Sequence, residues 1–336
     1  AVPAFTRAPM APTELQAALE AWKPLHGGVD AWRVGVVGSA DAALGKSWPL
    51  PPERLLPSGF DQSYRCNDCG VWLRPVEHGD FDRHTCSSCK KITEGDEGIS
   101  KAGVASYVNR FSGAVRALAL AYRVTGAGSY ADKAAGMLLD LARFYPRIPV
   151  TGARSTSGAA RLRFNTLHAS YNLPTLAEGY AFLHSYAGLD EAGRGAISEM
   201  LKQEAFRLAR HGSEYNNQGA EHFRAYGTVG LATGYWPLAA KAVGEDYNWH
   251  DMAEFGFDED GFNSEGGGYH RAIFHAMNAM ALFASQYGVE LLTPRLKRVY
   301  DASLTIGQAG PAYELAYRAY RDPAYLPALA GVRRGA

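Results

Sequence analysis

Three consecutive glycines, Gly266–Gly268, run into Tyr269 and His270 at the predicted start of an amphipathic helix. A tyrosine held there could transfer a proton beside a substrate cleft, since glycines let a ligand approach the backbone. The alternative is a helix cap with a packed aromatic ring. The acidic loop that precedes the glycines, DEDGFNSE (258–265), would suit a helix N-terminus in either case.

A second predicted helix start is also rich in polar groups. The segment SEYNNQGAEH (213–222) places Asn216, Asn217 and Gln218 together before a helical pattern. An asparagine cap followed by turn residues would explain it alone. Two such starts on consecutive predicted inner helices favour a functional site.

The four cysteines of the chain form two C-x2-C pairs separated by sixteen residues: Cys66, Cys69, Cys86 and Cys89. This spacing predicts a tetrahedral zinc site in a small ribbon, with Gly70 easing the first turn. Two disulfides are the alternative, although a C-x2-C disulfide closes a strained loop. Four thiolates leave zinc no open position, so the predicted role is structural. His78 and His84, between the pairs, are predicted at the surface.

The rest of the chain is predicted to be helical. Residues 12–23 form an amphipathic helix capped by Thr13, and the proline-rich residues 46–60 are irregular. Beyond Ser100, apolar residues recur at helical spacing. Four antiparallel pairs of helices follow: 105–126 with 129–146, 163–188 with 189–212, 216–236 with 237–255, and 268–288 with 289–307. Ser129 is the predicted cap of the second helix in the first pair.

Helical hairpins of this kind build a solenoid or a closed α/α ring. The pairs share no register of key residues, which favours an incomplete (α/α) toroid. The predicted fold class is therefore mainly α, a toroid of antiparallel helical hairpins with an inserted four-cysteine zinc ribbon. The predicted boundaries are an N-terminal segment (1–60), the ribbon (61–95), a catalytic toroid (96–310) and an exit segment (311–336).

Composition narrows the partners. Of 336 residues, 47% are hydrophobic, and 34 basic residues balance 34 acidic ones. This neutral balance, and a ribbon that is not strongly basic, predict no nucleic-acid partner. No apolar run is long enough to span a membrane, and a membrane is not predicted as a partner. The start AVPAFTRAPM does not predict a signal peptide, because it lacks a charged start followed by an apolar run.

Residues 100–330 resemble the toroid domain of the heparinase II/III-like polysaccharide lyases, which include alginate and glycosaminoglycan lyases. The matching motifs are NNQG (216–219) and the glycine-rich start at Tyr269, 52 residues after Asn217. The segment YELAYRAYRDPAYLPAL is similar to the family's exit from the toroid. Family enzymes often have Asn-Asn-His at the first motif, where this chain has Gln218. They usually continue into a β-sandwich. Two alternatives stay open here: a β-sandwich as a further domain or separate chain, or an enzyme that works with the toroid alone.

The resemblance implies β-elimination on a uronate polysaccharide in a secreted or periplasmic setting. Asn217, assisted by Gln218, would neutralise the uronate carboxylate. Tyr269 would act as the acid on the leaving oxygen and perform base catalysis too, supported by His270, Arg271 or a bound cation. The expected substrate-binding residues are Arg161, Arg163, His168, Glu221, His222, Arg224 and Arg271. For Arg161, Arg163 and Arg224 a surface or helix-pairing role is the alternative. His168, His222 and His275 could instead be packing residues.

Two other functions stay open at this point. A helical-toroid glycoside hydrolase would need two opposed carboxylates, and the loop acids Asp258, Glu259, Asp260 and Glu265 have no evident partner. A non-catalytic glycan-binding domain is the other. The choice among alginate, hyaluronan, chondroitin and heparin also stays open.

Overall fold

The computed structural model describes residues 10–24, 28–150, 158–211, 214–244, 248–308 and 312–329. The chain divides into two compact units, the first made of residues 1–34 and 212–336 and the second of residues 35–211. This division falls inside the segment predicted as one catalytic toroid, and the predicted four-part organisation stays a prediction. In the described part of the chain, no helix is long and apolar enough to cross a membrane.

The described residues are mainly helical, as predicted. The helices in chain order are α1 (Pro12–Trp22), α2 (Val29–Leu44), α3 (Glu97–Thr125), α4 (Gly128–Phe144), α5 (Thr166–Phe182), α6 (Glu191–Arg210), α7 (Asn217–Thr233), α8 (Trp236–Gly244), α9 (Trp249–Phe255), α10 (Gly267–Ser285), α11 (Lys297–Thr305) and α12 (Ala312–Tyr320). Three short strands, all between the two cysteine pairs or just after them, are β1 (Leu73–Pro75), β2 (Arg83–Cys86) and β3 (Ile92–Glu94).

The predicted hairpins exist, with corrections at their ends. Gly126 ends α3 in the left-handed conformation at φ 74°, as expected for a glycine turn. Thr13 and Ser129 are not caps: α1 and α4 begin at Pro12 and Gly128, which places these residues inside the first turns. The long helix α3 also begins earlier than predicted, where the Asp96 side chain accepts the Ile99 N–H.

Two predicted second helices are shorter or divided. The helix expected over 237–255 is two helices, because Asn248 caps a new start and accepts the N–H groups of His250 and Asp251. The helix expected over 289–307 begins only at Lys297, since Pro294 begins a short 3-10 turn immediately before it. Helix α2, which runs from the first unit into the second, was not predicted.

Each unit has its own helical packing. In the second unit α3 packs against both α4 and α5, while α4 also packs against α6. In the first unit α7 packs against α8 and α10, and α10 contacts α11 and α12. The residues that pack these helices include the fully buried Leu118, Leu138 and Leu173 in one unit and Phe223 and Tyr300 in the other.

The four-cysteine insert is an antiparallel three-stranded sheet in the order β1-β2-β3. Its buried residues Tyr64, Leu73 and Cys86 cluster with Ile99 and Ala102 of α3, so the insert packs on that helix. The predicted surface position of His84 is wrong. Its ring is buried between the Tyr64 hydroxyl at 2.8 Å and the Ser100 hydroxyl at 3.2 Å, and burial lowers its pKa.

His78 is likewise not a free surface residue. It is half-buried against Trp48, with 4.5 Å between the ring centroids, and burial together with Arg110 lowers its pKa. Both histidines therefore attach the insert to its surroundings, a role that their place between the cysteines did not indicate.

Candidate functional site

The start of α7 is shaped by Asn216 and Gly219. The Asn216 side chain accepts the Gly219 N–H at 3.0 Å, which makes Asn216 the helix cap. A side chain at position 219 could not fit, because its Cβ would lie 2.0 Å from the carbonyl oxygen of Glu214. The glycine of the NNQG motif therefore permits a tight backbone crossing. Ser213, also quoted in this motif, lies outside the described residues.

Asn217 is the first residue of α7, and its side chain does not cap the helix because Asn216 does. Its backbone N–H donates to Glu265 Oε2 at 3.0 Å. Its half-exposed carboxamide makes no hydrogen bond to any residue in the described ranges. Gln218 follows it, also half-exposed. A carboxamide thus stands at a helix N-terminus, where the peptide dipoles favour a negatively charged ligand.

Glu265 is presented by a loop that is tightly hydrogen-bonded. The buried Asn263 donates to the Gly256 carbonyl at 2.6 Å and accepts the Glu265 N–H at 3.0 Å. Asp258 accepts the Phe262 N–H at 2.8 Å. The acidic loop is therefore organised internally, and its last acid serves the N-terminus of α7 rather than that of its own helix, α10.

The glycine run delivers Tyr269 to solvent. Gly266 adopts φ 92° and ψ 174°, a backbone conformation that is open essentially only to glycine. A Cβ added at Gly267 or Gly268 would meet no atom within 4 Å, so the space beside them is open. Tyr269, in the first turn of α10, is 51% exposed. The helix start therefore leaves the phenol accessible, against the alternative of a packed aromatic ring.

His270, by contrast, is fully buried and does not reach the surface. Its Nδ1 accepts the Asn263 N–H at 3.3 Å, so Nε2 carries the proton and donates to the Ser303 hydroxyl at 2.8 Å. Burial lowers the pKa of His270, which keeps the ring neutral. The predicted catalytic contact is replaced by a structural one, which ties the acidic loop to α11.

A charged cluster lies further along α7 and α10. The buried Glu221 pairs with Arg224 at 3.0 Å; burial raises the pKa of Glu221 and the arginine opposes that rise. Burial lowers the pKa of His275, and the positive charges of Arg224 and Arg271 lower it further. Arg271 is exposed and donates to the Ile306 carbonyl at 3.1 Å. His222, also predicted to bind substrate, is fully buried.

Arg161, in the second unit, is engaged by backbone carbonyls. Its Nη1 donates to the carbonyl oxygens of Pro146 at 2.8 Å and Ile148 at 2.9 Å. Its backbone N–H and that of Leu162 donate to the fully buried Glu204. These contacts hold the segment before α5 in place, and the predicted substrate contact of Arg161 stays a prediction.

Arg163 and His168 belong to a buried network in the same unit. The fully buried Arg163 donates to Asn109 at 2.7 Å, Asn172 at 2.8 Å and Asp61 at 3.1 Å. His168 is buried, with Nδ1 2.8 Å from Asn165 Oδ1. Burial and the neighbouring Arg163 lower its pKa to about 4. Neither side chain offers the exposed group that direct substrate binding requires.

The four cysteine sulfurs lie together, all within 4.8 Å of one another, and none forms a disulfide. The separations include 3.6 Å for Cys66 and Cys89 and 3.3 Å for Cys69 and Cys86. Zinc–sulfur bonds of ~2.3 Å in a tetrahedron require sulfurs about 3.8 Å apart, which fits this cluster.

The backbone shapes the two cysteine turns alike. The Gly70 N–H donates to the Cys66 carbonyl, and the Lys90 N–H donates to the Cys86 carbonyl. Both residues have positive φ, 66° for Gly70 and 61° for Lys90. The predicted freedom of Gly70 is thus used, while the second turn forces the same conformation on a lysine.

Sequence reasoning did not assign Glu265, Asn109 or Asn172 to a site. In the sequence Glu265 is one acid of a loop among several, and the one available signal is its place just before the glycine run. Asn109 and Asn172 lie inside helical patterns, where a polar residue carries no specific signal. The hydrogen-bond partners of Asn109 are Arg163 and Asn172, which lie more than fifty residues later in the sequence.

Comparison with known proteins gives a fold-level match. No protein-family model and no curated protein matches the sequence. Among solved structures, an alginate lyase from Bacteroides ovatus superposes with a TM-score of 0.61 at 16% identity, covering 98% of this chain and 96% of that chain. The alginate lyase A1-III from Sphingomonas species A1 has a TM-score of 0.49 at 14% identity, covering 81% of this chain and 77% of that chain.

The protein therefore has the fold of an alginate lyase, and the predicted fold class is confirmed: a mainly α toroid of helical hairpins with a small four-cysteine insert. This conclusion rests on the Bacteroides ovatus enzyme, which matches over nearly the whole of both chains. At 16% identity the likeness extends to the fold and not to the reaction.

Proposed function

We propose that the protein is a polysaccharide lyase that cleaves a uronate-containing polysaccharide by β-elimination. The observation that carries this proposal is the hydrogen bond from the Asn217 N–H to Glu265, which joins the N-termini of α7 and α10. It brings a carboxamide and an exposed tyrosine to two neighbouring helix starts. The fold shared with the Bacteroides ovatus alginate lyase supports alginate as the first substrate to test.

Asn217 supplies charge stabilisation in the proposed reaction. The proton on C5 of a uronate is poorly acidic while the adjacent carboxylate is charged. Hydrogen bonds from the Asn217 carboxamide, with the positive end of the α7 dipole behind it, stabilise the charge that develops when this proton leaves. Gln218 is placed to assist from the next position.

Tyr269 performs the proton transfers in this proposal. A base removes the C5 proton, the electron pair forms the C4=C5 double bond, and the C4–O4 bond breaks. Tyr269 as phenolate takes the C5 proton, and the phenol formed in this way protonates the leaving O4 on the same face. His270 acts indirectly by fixing the loop that carries Glu265.

Arg224 and Arg271 are proposed to contact the carboxylates of the polymer. Arg271 is exposed, and Arg224 remains partly accessible beside Glu221, whose carboxylate fixes the guanidinium. Glu221 supports Arg224 through this ion pair, and the predicted role of the fully buried His222 in substrate binding stays a prediction.

Zinc is proposed as the occupant of the cysteine cluster. Cys66, Cys69, Cys86 and Cys89 would hold it through four thiolates, and its contribution is to stabilise the insert on α3. A secreted or periplasmic location, and a β-sandwich partner domain or chain, remain predictions.

The experiment is an ultraviolet assay on alginate, hyaluronan and chondroitin, because elimination creates a conjugated C4=C5 double bond that absorbs. Wild-type protein should produce this signal with at least one polymer, and Tyr269→Phe should abolish it. Tyr317→Phe, at a half-buried tyrosine of α12, is the matched control and should retain activity. New reducing ends without absorbance would instead identify a glycoside hydrolase, and binding without cleavage a glycan-binding protein.

A further inference from the structure

One surface of the second unit carries aromatic rings that the proposed reaction does not use. Phe60 is 38% exposed and Tyr171 is 39% exposed, although large aromatic side chains are on average highly buried. Both rings lie around His168, at centroid distances of 5.2 Å and 5.7 Å. The two rings therefore flank one point on the surface, at the start of α5.

The buried network beneath these rings fixes the orientation of Asn109. The Arg163 guanidinium has only donors, so the Asn109 atom that faces it at 2.7 Å must be the carbonyl oxygen. The Asn172 Nδ2 donates to the same oxygen at 2.8 Å. Two donors on one side of the carboxamide leave its NH2 group turned to the other side.

Asn109 is itself exposed, and its NH2 group donates to no residue in the described ranges. This surface therefore combines two oriented N–H donors with aromatic ring faces. A pyranose ring matches that combination, since its C–H face packs on an aromatic ring and its oxygens accept hydrogen bonds.

The charges beneath this surface cancel. Arg163 is paired with Asp61 at 3.1 Å, and His168 is neutral because burial and Arg163 lower its pKa to about 4. A ligand would therefore be held by stacking and amide hydrogen bonds rather than by ion pairs. Affinity that arises here should depend little on salt, unlike affinity from exposed charges.

We propose that Phe60, Asn109 and Tyr171 form a carbohydrate-binding site, made entirely of residues of the second unit, that takes one pyranose ring of a polysaccharide. It rests on the proposed function only for the choice of uronate oligosaccharides as ligands. Arg163 and Asn172 are positioning residues in this site, because they orient Asn109 and do not touch the sugar.

The test is calorimetric titration of full-length Tyr269→Phe protein with hexasaccharides of alginate, hyaluronan and chondroitin. Phe60→Ala and Tyr171→Ala should each weaken binding about three- to tenfold, with the loss unchanged on raising the salt concentration. Asn109→Asp keeps the oxygen that Arg163 and Asn172 need but removes both N–H donors, so it should fold normally and bind more weakly. Trp32→Ala, at an aromatic residue that is 43% exposed elsewhere, is the control.

Unchanged affinity in both Phe60→Ala and Asn109→Asp would overturn the proposal, as would the absence of binding for all three hexasaccharides. The ultraviolet assay distinguishes a failure of this binding site from a failure of the proposed lyase function. If wild-type protein cleaves no polymer but its binding depends on Phe60 and Asn109, the lyase proposal fails and this site stands. If the protein cleaves a polymer but its binding is insensitive to these variants, the lyase proposal stands and this site fails.

Discussion

The backbone N–H of Asn217 donates to the carboxylate of Glu265 at 3.0 Å, across 48 residues of sequence. The first N–H groups of a helix have no partner within the helix, so a carboxylate from another segment can satisfy one of them. Here that carboxylate comes from the loop that leads into Tyr269. One hydrogen bond thus fixes the two helix starts that the proposed reaction needs.

Asn217→Ala should lower turnover by roughly 10²- to 10³-fold, the usual loss for one oxyanion-type donor. The melting temperature should hardly change, because the bond to Glu265 uses the backbone N–H, which alanine retains. The matched variant is Asn216→Ala, which removes the cap and should cost about 1 kcal/mol of stability. Thermal melts and ultraviolet rates of both proteins check this. A large stability loss in Asn217→Ala with normal turnover would refute the assigned role.

Glu265→Ala should lower turnover more than it raises KM, because it frees the Asn217 backbone and loosens the spacing between the carboxamide and Tyr269. Glu265→Gln retains an oxygen acceptor and should restore most of the rate. Amide hydrogen exchange at Asn217 provides a readout that does not depend on activity, and it should be faster in Glu265→Ala than in Glu265→Gln. Equal exchange in the two variants would show that the bond is not maintained in solution.

Purified protein should contain one zinc per chain, and Cys86→Ser should lose it. The insert should then loosen first, since its buried residues pack on α3 through Tyr64 and Cys86. Limited proteolysis between residues 61 and 95 should become faster, with a smaller effect on elimination. Ser88, in the same turn, offers the control Ser88→Ala. Wild-type protein with no zinc and with its thiols oxidised in pairs would contradict the assignment.

Stability should fall as the pH drops from 6.5 towards 4, partly through His168. Its pKa is lowered to about 4 in the folded protein from an ordinary 6.5, so between these values the unfolded chain binds a proton that the folded one does not. The stabilisation is complete above pH 6.5 and is lost as the pH falls through about 4. Chemical denaturation should show a weaker pH dependence for His168→Gln. The exposed His184→Gln should match wild type, and an identical slope in all three proteins would exclude this contribution.

The cysteine cluster and the helical hairpins were predictable from sequence because both follow local rules. A C-x2-C turn brings its two sulfurs together by its own geometry, and one repeat of the motif completes the set. Helices are recognised by apolar residues at three- and four-residue spacing, and glycines such as Gly126 mark their ends. The NNQG motif and Tyr269 could also be read directly, as residue types at two helix starts.

The tertiary structure decided what surrounds each of these residues. It made Asn216 the cap and left Asn217 free, buried His270 and Arg163 in hydrogen-bond networks, and brought Glu265 to a helix 48 residues earlier in the chain. It also oriented the Asn109 carboxamide, because Arg163 and Asn172, distant in sequence, both donate to its oxygen. Burial and long-range hydrogen bonds depend on which helix faces pack together, and helical periodicity records only that a face is apolar, not which residues lie opposite it.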